Sequence, residues 1–130
     1  MPPRRRVPIA VGREAVAVCR SAGFAADRDV TATAVRYTLE ELAAVAPGRT
    51  VEVRVPPYGA AQCVEGPVHR RGTPPNVIET DASTWLALAT GELSWQAAVD
   101  SARVRASGQR AHLEGLLPLV ALDSGVGQID

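Results

Sequence analysis

The stretch TDASTWLALATGELSWQAAVDSARVRASGQRAHLEGLLPL, Thr80–Leu119, decides the reading of this chain. Asp81 stands where a helix N-cap is needed, and Trp85, Leu88 and Ala89 then fall on one side of a helix that Gly91 closes. Ser94 caps a second helix with Trp95, Ala98, Val99 and Ala102 at i, i+3, i+4 and i+7. From Arg103 to Ser107 the period changes to two, with Val104 and Ala106 on one face, which predicts a strand. Gly108 turns the chain into a last short helix ending at Leu116, Leu117 and Pro118.

Working outward, residues 9–22 read as a helix with a stripe of Val11, Ala15, Val18 and Ala22. Asp29 caps a longer helix with a stripe of Val35, Leu39, Leu42 and Ala46, which Pro47 and Gly48 end. In residues 50–55, Val51, Val53 and Val55 alternate with Glu52 and Arg54, the pattern of a half-buried strand. Pro56-Pro57-Tyr58-Gly59 turns the chain into a second strand over residues 60–65, giving a hairpin with a loose turn. Residues 66–75 read as a loop and 76–80 as a short strand. Short strands mostly joined by turns, with helices before and after, predict an α+β domain with helices massed on one face of a sheet of about four to five strands. The domain spans residues 9–122, between a basic, Pro-rich tail at 1–8 and a flexible tail at 123–130.

Composition excludes several chemistries. The chain has 130 residues and zero net charge, so no broad basic field invites nucleic acid. It contains no lysine, hence no Schiff-base amine and no P-loop lysine. No apolar run reaches the roughly 18 residues of a membrane span, so no stable membrane insertion is expected. No signal peptide is legible after Arg4-Arg5-Arg6, and a cytoplasmic location with Cys19 and Cys63 as free thiols follows. The two cysteines and two histidines are not at metal-ligand spacing, so neither metal nor cofactor is expected. Glu40 and Glu41 read as the wet face of their helix rather than as a catalytic pair.

Three candidate sites remain. Cys63 lies six residues before His69, which would lower the thiol pKa if the loop turned back; the plainer reading is a buried strand cysteine. The loop His69-Arg70-Arg71-Gly72-Thr73 offers two guanidiniums for a carboxylate or phosphate head group. Val53 and Val55 on the strand, Trp85, Leu88, Trp95 and Val99 on the two helices, and Leu113, Leu116 and Leu117 near the end either enclose an apolar cavity or simply fill a core.

The order of Thr80-Asp81, Trp85, Leu88, Gly91-Glu92-Leu93, Trp95, Ala98, Arg103-Val104-Arg105-Ala106, Gly108 and Leu116-Leu117-Pro118-Leu119 resembles the C-terminal half of a sterol-carrier-protein-like domain in its compact bacterial form. The valine strand and its hairpin partner fit that family's preceding sheet, and the likeness runs from about Val30 to Leu119. The resemblance implies a mixed sheet with helices on it and an apolar tunnel. It also implies non-catalytic binding, or transfer, of a fatty acid, acyl-CoA or sterol-like lipid. The apolar residues above are then the expected lining, and Arg70 and Arg71 of the arginine loop the expected contacts of a charged head group. Three departures stand out: Ala102 replaces a frequent glycine, aromatic residues are few, and the peroxisomal tail of eukaryotic members is absent. The alternatives are an interaction domain with a filled core and a thiol-dependent enzyme using Cys63 and His69.

Overall fold

A computed structural model describes residues 6–66 and 75–119. Two helices come first, α1 (Ile9–Ser21) and α2 (Arg28–Val45), followed by strands β1 (Val51–Val55), β2 (Gly59–Cys63) and β3 (Asn76–Thr80). Helices α3 (Ala82–Thr90) and α4 (Trp95–Asp100) and strand β4 (Val104–Ser107) complete the order. The sheet runs β2-β1-β3-β4. The β1–β2 and β3–β4 pairs are antiparallel, and β1–β3 is parallel. This is the expected α+β class with a mixed sheet.

Alternation builds the layers. Val51, Val53 and Val55 are buried, and the register aligns Val53 with Ala61 on one side and with Ile78 on the other. These residues form the face covered by helices. Glu52 and Arg54 point the opposite way and pair with each other at 2.9 Å on the solvated face. Local signals hold α3 and α4. Asp81 accepts from the Thr84 N–H at 2.7 Å, Ser94 Oγ accepts from the Ala97 N–H at 3.1 Å, and Gly91 ends α3 at φ 84°.

Four expectations change. The buried stripe of α1 is Gly12, Ala15, Val16 and Cys19, while Val11 and Val18 are exposed. The cause is Gly12: a Cβ there would run into the ring of Tyr37 on α2, so the missing side chain lets the two helices close and sets the rotation of α1. The N-cap of α2 is Asp27, not Asp29; its Oδ1 accepts from the Val30 N–H at 2.9 Å. Glu41 is buried rather than wet, because it follows Tyr37 by one helical turn on the side that α1 covers. Finally, no helix forms among residues 109–119. Two turns, Ala111 N–H to Gly108 C=O at 3.3 Å and Leu116 N–H to Leu113 C=O at 3.0 Å, replace it. The segment between Gly108 and Pro118 is too short and carries Gly115, so a helix nucleus is not repaid.

This C-terminal segment is nonetheless fixed. The Leu119 N–H donates to the Ala89 C=O at 3.1 Å at the end of α3. Asn76 accepts from the Arg110 N–H at 3.0 Å and donates to the Thr50 C=O at 2.9 Å, tying the segment to β1. At the other terminus, the N–H groups of Arg6 and Val7 donate to the Glu40 carboxylate at 3.0 and 3.1 Å, which fastens the entering chain across α2.

Candidate functional site

The residues proposed to line a tunnel separate into two groups. Val53, Val55, Trp85, Leu88 and Leu113 are fully buried and belong to the packed interior. Trp85 is held there by its indole N–H, which donates to Thr38 Oγ1 at 2.7 Å; the Thr38 hydroxyl donates in turn to the Ala34 C=O at 2.8 Å. Trp95, Leu116 and Leu117 are half-buried, and Val99 is exposed. Of the α4 stripe only Ala98 is buried, because a six-residue helix at the margin of the domain meets the core through one position. Arg70, Arg71 and His69 lie outside the described residues.

Two clefts flank α2. The larger, about 710 Å³, runs between α2 and the free side of β2. Leu39 and Ala43 of α2 and Ala61 of β2 form its apolar floor, and Arg6, Arg36 and Arg49 stand around it. The second, about 390 Å³, opens where α2 ends. Ala46, Pro47, Val64 and Leu116 make its apolar walls, and Glu65, Arg110, His112 and Glu114 supply its polar groups. Val64, at φ 70°, is locked in that wall: its N–H donates to the Ala46 C=O at 2.7 Å and its C=O accepts from the Thr50 N–H at 3.0 Å. Of the residues proposed from sequence to line a tunnel, Leu116 reaches a cleft; Leu39 and Ala46 read only as a helix stripe, and Ala43 was not singled out.

The thiols are not poised for chemistry. Cys63 is fully buried, and burial pushes its pKa up to about 11. Cys19 is buried as well, and burial raises its pKa despite a hydrogen bond with Thr31. A neutral buried thiol is a poor nucleophile. Among the described residues no three His, Cys, Asp or Glu side chains are placed to hold a metal ion, and no helix is long and apolar enough to cross a membrane.

No curated protein matches the chain. A family model described as bacterial SCP ortholog matches residues 27–119, which begins at the Asp27 cap of α2 and ends at Leu119, where the C-terminal segment docks on α3. The chain therefore belongs to the bacterial SCP ortholog family, a sterol-carrier-protein-like family associated in general with lipid binding and transfer.

Proposed function

We propose that the protein binds the acyl portion of a lipid without transforming it, and that the chain lies in the cleft between the end of α2 and the C-terminal leucine segment. The observation that carries this reading is the lining: Ala46, Pro47, Val64 and Leu116 give an apolar wall, with Glu65, Arg110, His112 and Glu114 beside it. Its size falls within the range of small-molecule sites. Leu116 and Leu117 are only half-buried and sit in irregular chain, so their side chains can move to admit a ligand more cheaply than Trp85 or Leu88.

The ligand class is a fatty acid, an acyl-CoA or a sterol-like molecule; Arg110 shares the polar rim of the cleft with Glu65 and Glu114. Arg70 and Arg71, which lie outside the described residues, belong to the same proposal because they follow Val64 and Glu65 closely in sequence. A buried neutral Cys63 supports a carrier rather than a thiol enzyme, and two unpaired cysteines fit the reducing cytoplasm. The second reading, a filled-core interaction domain, is favoured by the complete burial of Trp85 and Leu88.

Titration with a fluorescent fatty acid tests the proposal. We expect saturable binding, weakened about tenfold or more by Leu116→Arg, because a charge placed in an apolar site must be desolvated or must block it. Replacing Arg70 and Arg71 by alanine should weaken an acyl-CoA more than an uncharged lipid. A flat titration by a folded protein, over several chain lengths, would leave the filled-core reading in place.

A further inference from the structure

We propose that the free edge of β2 docks an extended acidic peptide of a partner protein, which joins the sheet as an added strand in the groove between β2 and α2. Among the described residues, strand β2 pairs with β1 alone. The Thr50 N–H to Val64 C=O bond sets the antiparallel alternation, and by it the N–H and C=O groups of Gly59 and Ala61 point away from β1 into the groove.

An edge of this kind normally carries protection: a charge, a proline, a bulge or a covering element. Strand β2 reads GAAQC, with no charge and no proline, and its register with β1 advances one residue at a time without a bulge. The opposite edge, β4, is one residue shorter and carries Arg105. Small side chains on β2 leave room for another backbone to approach. Leu39 and Ala43, one turn apart on α2, offer a floor for alternate side chains of an incoming strand.

Charge selects the occupant. Arg6, Arg36 and Arg49 line the groove against a single carboxylate, Glu40, whose two oxygens already accept the Arg6 and Val7 N–H groups. Arg36 lies at one end of the strand, where its Nε donates to the Tyr58 C=O at 3.3 Å. Arg49 lies at the other, next to Thr50. A peptide with an uncharged alternating centre and acidic residues at both ends matches this layout. A second copy of the chain does not, since two-fold pairing of β2 would bring two sets of three guanidiniums together. An acyl chain fits poorly too, because it would cover backbone donors and acceptors without bonding them.

The test uses the full chain, labelled with nitrogen-15, and a capped seven-residue peptide of alternating valine and threonine with aspartate at each end. We expect the Gly59 and Ala61 amides to shift and to gain protection from exchange. A peptide with lysine ends should bind about tenfold more weakly. The double variant Arg36→Glu, Arg49→Glu should reverse that preference. The proposal fails if the β2 amides do not respond to millimolar peptide, or if both peptides bind alike. It fails equally if light scattering shows a dimer whose β2 amides are protected before any peptide is added, for then the edge belongs to a second copy.

Discussion

The indole N–H of Trp85 and the hydroxyl of Thr38 meet at 2.7 Å in the buried interior, and this bond joins α3 to α2. A tryptophan buried without a partner for its N–H would lose a hydrogen bond to water and gain none. Thr38→Val keeps the shape and removes the acceptor. It should destabilise the fold by about 1–3 kcal/mol, measured by urea denaturation, whereas Thr38→Ser should retain most of the stability. A neutral valine variant would mean that the indole is satisfied elsewhere.

Gly12 and Tyr37 define the second prediction. Alanine is the better helix former by about 1 kcal/mol, so propensity alone makes Gly12→Ala stabilising. The added Cβ, however, meets the Tyr37 ring, and α2 is itself held against β2 and α3. Overpacking costs about 1–3 kcal/mol and should win, lowering the melting temperature. If the clash is the cause, the pair Gly12→Ala with Tyr37→Ala should lose less stability than the two single changes added together.

Ala102 occupies the left-handed region at φ 59°, just after α4. At the position of the frequent glycine, an alanine thus holds a conformation that glycine adopts freely. Ala102→Gly should stabilise by about 1 kcal/mol, the side-chain penalty of this region partly offset by the greater freedom of the unfolded glycine. Urea denaturation would show it directly, since the site is exposed and no packing changes.

Asp81 links a cap to pH. Burial alone would raise its pKa, but hydrogen bonds from the Thr84 N–H, Ser83 and Thr84 hydroxyls, with the charge of Arg103, outweigh it and hold the carboxyl below its ordinary value. A depressed acid stabilises the fold above its unfolded pKa of about 3.9, and the contribution disappears as pH falls through the folded value. Asp81→Ala should cost about 0.5–2 kcal/mol at neutral pH and flatten the acid limb of the stability curve. A parallel acid limb in wild type and variant would assign the acid sensitivity to other carboxylates.

The signals that were legible in the sequence act over a few residues. Asp81, Ser94 and Gly91 define helix ends through their own hydrogen bonds and dihedral angles, and the valines of β1 declare their face by alternation. What failed to read depends on distant partners. The rotation of α1 follows from Gly12 meeting a ring 25 positions later, and the burial of Glu41 follows from α1 lying over it. The choice between tunnel lining and filled core stayed open in the sequence for the same reason: an apolar stripe looks alike whether it packs against protein or faces a cleft, so Trp85 and Leu116 could not be told apart. The edge position of β2 left no mark at all, because an edge is defined by which strands pair, and among the described residues only β1 pairs with β2.

Cys63 provides the test of the non-catalytic reading. It lies on β2 opposite Val51, fully buried, and burial raises its pKa to about 11. At neutral pH the thiol is protonated and sheltered, so iodoacetamide should modify it far more slowly than a free thiol, at a rate limited by opening of the strand. The pH dependence has a definite sign. The unfolded thiol ionises near about 8.5, so the folded state holds its proton more tightly. Stability from this group is therefore complete below that value and is lost as pH rises toward the folded pKa. Denaturation midpoints should fall across that alkaline window, and Cys63→Ala should fall less. Rapid alkylation of the folded protein at neutral pH, lost in His69→Ala, would instead establish an activated thiol and return the enzyme reading to first place.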